Sequence, residues 1–280
     1  NDAPVVDLNA GAAGQDVTTA FTEQTLVLIA PVGTLTDVDS ANLTSLTVTL
    51  TTRPDGNAVE SLSLNAAATA AASGLTVSYT AGTGVLSITG SATTAVYQSI
   101  LQGILYNDTS DQPTTSNRSI TVVANDGAVN SATQTVTLTV AAVNDAPTAT
   151  NLNAGETYTE DTALNLTDIV ASDVDSANIT ATLTLSNVGA GSLNTGTSGA
   201  VTSTFVGGVW TASGAIADVN ALLAGVTFTP TLNFNSNFTI ATSVSDGVAP
   251  AITGVKAMTG IPVNDAPTAT NLNAGETYTE

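Results

Sequence analysis

NDAPTATNLNAGETYTE, residues 144–160, recurs letter for letter at residues 264–280, and the chain opens on Asn1-Asp2-Ala3-Pro4, the first four letters of the same stretch. The period of an internal repeat decides the architecture. The starts at residues 1, 144 and 264 lie much farther apart than the roughly 20–50 residues of a solenoid repeat, so each unit is long enough to bury its own core. Working outward, DVDSAN at 37–42 returns at 173–178, and YQSILQGILY at 97–106 aligns with VNALLAGVTF at 219–228 through Gly103 and Gly225. Asn125-Asp126-Gly127 likewise aligns with Ser245-Asp246-Gly247. The order of landmarks is kept and only the spacers differ. Most of the extra length in the first unit falls between the second and third landmarks and is expected as a longer hairpin over residues 59–89. The reading is two full modules, 1–143 and 144–263, and the truncated start of a third, 264–280, expected to be mobile because it has no core to bury.

Secondary structure reads as strand nearly throughout. Residues 45–51, 84–89, 134–140 and 181–185 alternate apolar with small polar residues, many of them β-branched, as half-buried strands do. TSTFVGGVWT at 202–211 places Gly207-Gly208 between two alternating runs, a hairpin signal that sets Phe205 opposite Trp210. Residues 95–102 and 216–223 carry apolar positions three and four apart and predict one short helical turn per module. Strands at this spacing predict an all-β fold of tandem Greek-key, Ig-like sandwiches with about seven strands in two sheets each.

Composition narrows the chemistry. Three basic residues, Arg53, Arg118 and Lys256, stand against 23 acidic ones, for a net charge of −20. Nucleic acid and anionic membrane surfaces are therefore poor partners, and the natural counter-charge is a cation. Histidine and cysteine are absent, which excludes nitrogen- and sulfur-ligated zinc or copper, Ser-His and Cys-His nucleophiles, and disulfides. Oxygen chemistry remains, and it suits calcium. No apolar run approaches the roughly 18 residues of a membrane-spanning helix, and no signal-like segment is seen.

These motifs resemble the cadherin-like modules of long bacterial repeat-rich surface adhesins. In that family each junction carries an Asn-Asp linker followed by Pro, a Glu near the end of the first strand, an Asp-x-Asp followed by Asn, and an Asp beside Gly in a later loop. Here Asn144-Asp145-Ala146-Pro147 is similar to the linker, Glu23 and Glu160 to the first-strand Glu, Asp173-x-Asp175 with Asn178 to the Asp-x-Asp element, and Asp126 and Asp246 to the loop Asp. The order holds across residues 1–263. Two departures remove carboxylates: Ala142 and Pro262 stand where the family has a further linker Asp, and Asn233 and Asn235 occupy the region of its Asp-Arg-Glu element. One or two calcium ions per junction are expected in place of three.

The resemblance implies a metal site at the junction of modules one and two built from Glu23, Asn144, Asp145, Asp173, Asp175, Asn178 and Asp246, with carbonyls supplied by Asn144 and Asn178. Asp2, Asp37, Asp39, Asn42 and Asp126 form a partial set at the start of the chain, and Glu160 with Asp265 another near its end. The physical case is that carboxylates gathered this closely repel by roughly 1 kcal/mol per pair at 4 Å even in water, and calcium accepts six to eight such oxygens. An isolated Asp-Val-Asp or Asn-Asp-Gly is otherwise an ordinary turn. Trp210 reads as packing rather than a sugar platform, and the threonines as strand formers. No facing carboxylates mark a substrate cleft, so the chain reads as a non-enzyme. The implied function is a calcium-stiffened extracellular spacer at a cell surface, supporting adhesion, whose partners are the neighbouring modules of its own chain. The alternative is an adhesive module that itself binds carbohydrate or a partner protein.

Overall fold

The structure is a computed structural model that describes residues 1–270, 272–277 and 279–280. Its contacts divide the chain into two compact units, Asn1–Val143 and Asn144–Glu280. The first contains β1 (Val5–Asp7), β2 (Val17–Thr22), β3 (Val27–Leu28), β4 (Thr34–Thr36), β5 (Asn42–Leu50), β6 (Glu60–Leu64), α1 (Ala66–Ala71), β7 (Thr76–Thr80), β8 (Val85–Thr93), α2 (Thr94–Gln102), β9 (Ile104–Asp108), β10 (Arg118–Asn125) and β11 (Gln134–Ala141). The second contains β12 (Thr148–Ala149), β13 (Glu156–Thr159), β14 (Leu164–Asn165), β15 (Ala171–Ser172), β16 (Asn178–Leu185), β17 (Gly191–Leu193), β18 (Thr197–Ser198), β19 (Val201–Thr202), β20 (Thr204–Val206), β21 (Val209–Ala215), α3 (Ile216–Leu223), β22 (Thr227–Pro230), β23 (Phe238–Ser245) and β24 (Ile252–Ile261).

Both units are β-sandwiches with the same sheet order. In the first, a six-stranded sheet β2-β11-β10-β5-β8-β7 faces β3-β9-β6; in the second, β13-β24-β23-β16-β21-β20 faces β14-β22-β17. In each, the first long strand runs parallel to the last, Val17 beside Val136 and Glu156 beside Met258. All other strand pairs among the described residues are antiparallel. Alternation explains the core: along β10 and β5, Ile120, Val122, Ala124, Leu46, Val48 and Leu50 turn inward and are fully buried, while the threonines and serines between them stay half-exposed. Each unit has its own hydrophobic cluster. Phe205 does lie opposite Trp210 across the Gly207-Gly208 turn, and Trp210 is buried with its Nε1 donating to the Asn194 carbonyl at 3.0 Å.

The structure corrects three details. Residues 59–89 are more than a hairpin, because α1 stands between β6 and the β7–β8 pair. The run Ala66-Ala67-Ala68-Thr69-Ala70-Ala71 has high helix propensity and is capped by Asn65, whose side chain accepts the Ala68 N–H, though it lacks the amphipathic stripe that would announce it. α2 and α3, with nine and eight residues, are two-turn helices rather than single turns. The strands exceed seven per module because small ribbons such as β1–β4, β12–β15 and β18–β19 supplement the sheets. Among the described residues after Ile261 no strand is formed.

Two of the three basic residues lie inside the modules. Arg118, fully buried, meets Glu60 at 3.1 Å, Asp108 at 3.1 Å and Asp55, and Lys256, also buried, meets Glu156 at 3.0 Å. The surface is thus left with almost no positive side chains.

Candidate metal sites at the module ends

At the leading end of the first module, the opening dipeptide is tied to both acidic loops. Asn1 Nδ2 donates to Asp126 Oδ2 at 2.7 Å and to the Asp2 carbonyl at 3.2 Å. The Asp2 N–H donates to the Asp39 carboxylate at 3.0 and 3.2 Å. Between β4 and β5, Asp37 Oδ1 accepts the N–H groups of Asp39 at 3.1 Å and Ser40 at 2.8 Å, an Asx turn that DVDS favours locally. After β10, Asp126 Oδ1 accepts from Ala128 at 2.7 Å and Val129 at 2.8 Å.

The second module repeats this network with the same residues in the same roles. Asn144 Nδ2 donates to Asp246 Oδ2 at 2.5 Å and to the Asp145 carbonyl at 2.7 Å, and the Asp145 N–H donates to Asp175 Oδ2 at 3.0 Å. Asp173 Oδ1 accepts from Asp175 at 3.2 Å and Ser176 at 2.8 Å, and Asp246 Oδ1 accepts from Val248 at 2.9 Å and Ala249 at 3.0 Å. Ser40 and Ser176 hydroxyls both reach back to the Asn1 and Asn144 side-chain oxygens.

These donors hold several carboxyls in the charged form. The Val129 N–H, followed by the Asn1 amide, brings Asp126 down to about 2. The Asn144 amide lowers Asp246, and the Asp2 N–H lowers Asp39. After the turns are satisfied, Asp37 Oδ2, Asp173 Oδ2 and Asp175 Oδ1 remain buried with no hydrogen-bond partner. An unsatisfied buried acceptor is costly, more so when ionised, and a hard cation with oxygen preference answers that cost. The donor set fits calcium. Asn42 and Asn178 begin β5 and β16 opposite Thr93 and Ala215 and are exposed.

The trailing ends are built on the glutamates that follow β2 and β13. Glu23 donates its N–H to the Ala141 carbonyl at 3.0 Å, and its Oε2 accepts the Val143 N–H at 2.7 Å. Its Oε1 has no partner although the residue is 4% exposed. The Asp111 carboxylate, held by Gln24 Nε2 at 3.0 Å, comes within 4.8 Å of the Glu23 carboxylate. Asp111 is not among the ligands expected from the motifs. It lies in the β9–β10 loop, the counterpart of the stretch holding Asn233 and Asn235, and a comparison of those two loops is the signal that finds it. Glu160 is placed like Glu23, donating to the Ile261 carbonyl at 3.1 Å, yet its Oε1 accepts the Val263 N–H and its Oε2 accepts Asn235 Nδ2 at 2.6 Å. Asp265 is exposed, and its backbone carbonyl accepts the Asn264 amide at 3.3 Å. A further group of three carboxylates, Asp55, Glu60 and Asp108, surrounds the Arg118 guanidinium. Their cation is already covalently part of the chain, and burial raises the Asp108 carboxyl.

No family model matches the chain, and a comparison of its sequence with curated proteins finds no match. Among solved structures, it is similar to the titin domains z1z2 in complex with telethonin, at 10% identity over 94% of this chain and 98% of that one, with a TM-score of 0.33. It is similar also to protocadherin gamma B2 extracellular cadherin domains 1–5, at 13% identity over 95% and 41%, TM-score 0.35. A third is Drosophila N-cadherin EC1-3, at 11% identity over 94% and 68%, TM-score 0.29. These likenesses are too distant to carry a role, so the functional reading rests on the chain's own residues.

Proposed function

We propose that this chain is a calcium-stiffened extracellular spacer segment of a large bacterial adhesin-like protein, with a mechanical rather than catalytic role. The observation that carries the reading is the duplicated leading-end network, which orients Asp37, Asp173 and Asp175 and leaves each with a buried, unpartnered carboxylate oxygen. A turn built only for its backbone has no need to repeat that arrangement. The anionic surface adds to it: with Arg118 and Lys256 buried in ion pairs, few of the described exposed carboxylates have a protein counter-charge, and the rest draw cations from solution. The sites are expected to be weak, with dissociation constants on the order of 10⁻⁴–10⁻³ M, filled outside a cell and empty in the cytosol.

The test is thermal unfolding and small-angle scattering in calcium and in chelator. Calcium should raise the melting temperature and narrow the distribution of shapes; identical curves in both would sink the reading. A second reading, direct binding of a partner, is favoured by one feature, a cleft of about 600 Å³ in the first module lined by Leu62, Leu64, Leu75, Val77, Tyr79 and Leu86. A panel of glycans and peptides that shifts the amide signals of these residues would support it.

A further inference from the structure

The two trailing ends share a plan but differ in their chemistry. Glu23 has a buried oxygen without a partner and a second carboxylate, Asp111, within 4.8 Å, an arrangement that is repulsive without a cation. Glu160 is just as buried, 2% exposed, but both its oxygens already accept hydrogen bonds, from the Val263 N–H and the Asn235 amide. We propose that Asn235 makes the trailing end of the second module independent of calcium, so that the first module ends on a cation-dependent site and the second on one closed by hydrogen bonds. This rests on the calcium reading above and refines it.

Two linked differences place the Asn235 amide. In the first module Phe21 pairs with Val140; in the second the same positions are Tyr158 and Gly260. The Tyr158 hydroxyl donates to the Ser236 carbonyl at 2.7 Å, a contact that Phe21 cannot make. Its ring stacks on Phe234 with centroids 6.3 Å apart. A Cβ at Gly260 would lie 2.3 Å from the Asn235 backbone oxygen, so the absence of a side chain there lets the loop press onto β24. Gly260 in turn donates its N–H to Asn237 Oδ1 at 3.1 Å. The loop is thereby fastened at four successive residues, and the amide of Asn235 is delivered to Glu160 where the first module presents Asp111 to Glu23. A cation approaching Glu160 has to displace that NH₂ or turn the amide over, breaking its hydrogen bond either way. A hydrogen bond to a charged group corresponds to roughly a tenfold to hundredfold change in an equilibrium constant, and an NH₂ in place of a carboxylate removes one ligand charge besides.

The test is a calcium titration of the ¹³C-labelled chain, following the side-chain carboxyl carbons of Glu23 and Glu160 by NMR up to about 10 mM calcium, above the weak range of extracellular sites. The expected result is a saturable shift at Glu23 and none at Glu160. In Asn235→Asp, nearly isosteric and checked for folding by its amide dispersion, Glu160 should acquire a saturable shift; in Asp111→Asn the Glu23 midpoint should rise at least tenfold. A Glu160 response in the unsubstituted chain with the Glu23 midpoint overturns the proposal. So does a silent Glu160 in Asn235→Asp while Glu23 still responds, an outcome that leaves the calcium reading standing. Silence at Glu23, Asp37 and Asp173 alike overturns both.

Discussion

Replacing Asp173 by Asn should affect stability differently with and without calcium, and the difference measures what the unpartnered oxygen does. The amide oxygen of Asn can still accept from the Asp175 and Ser176 N–H groups now held by Oδ1 at 3.2 and 2.8 Å, so the turn persists. The loss is the charge and the free Oδ2. Asp173 shares its turn with Asp175, and a pair of like charges costs at most about 1 kcal/mol at 4 Å in water. In chelator, Asp173→Asn should therefore be more stable than the parent by up to about 1 kcal/mol, at most roughly 3–5 °C for a domain of this size. With calcium at ten to a hundred times its dissociation constant, the parent gains about 1.4–2.7 kcal/mol. A variant that binds about tenfold more weakly recovers roughly 1 kcal/mol less of that gain, and its lead disappears. Differential scanning calorimetry in chelator and in calcium reads both numbers, and Asp37→Asn supplies the mirror experiment in the first module. A variant that melts lower than the parent in chelator, or that keeps the parent's full calcium shift, would refute the reasoning.

Arg118→Met should destabilise the first module by about 3–5 kcal/mol, because it strands Asp55, Glu60 and Asp108 around a lost charge; urea unfolding should show the second module's transition unmoved. Gly103→Ala should cost roughly 1–3 kcal/mol, since a Cβ there would sit 2.4 Å from Ala68 Cβ, whereas Gly225→Ala should change melting little because nothing stands closer than the Leu222 oxygen at 3.8 Å. In calcium-free buffer Asp126 should titrate near 2 by carboxyl NMR. Because its folded value lies below the ordinary 3.8, its contribution is present above about 4 and is lost as pH falls toward 2, and a midpoint near the ordinary value would contradict the Asn1 and Val129 contacts.

Features that depend on near neighbours are legible in the amino-acid order itself. Phe205 and Trp210 meet because two glycines between alternating runs admit one hairpin register, and α2 and α3 follow from apolar positions three and four apart. The leading-end network is legible too, because DVDS forms its own Asx turn and Asn-Asp is followed closely by Pro in each copy. Features that depend on distance, or on composition without pattern, are not. α1 is an alanine run whose helix is fixed by Asn65 and by packing on Gly103, and Arg118 reads as a lone charge in a strand, since the carboxylates that surround it come from distant parts of the chain.

The identical stretches 144–160 and 264–280 show the limit most directly. Identical letters dictate identical local preference, yet the state of Glu160 is set by Asn235, 75 residues away, and Asn235 is set by Tyr158 and Gly260 acting on its loop. The repeated segment therefore specifies where a carboxylate stands, while the loop before the penultimate strand specifies what that carboxylate meets. Asp111 beside Glu23 and Asn235 beside Glu160 stand at matching places in their loops and offer their glutamates different ligands. On the proposal above, it is this loop rather than the strand bearing the glutamate that gives each of the two ends its own dependence on calcium, while both modules keep one fold.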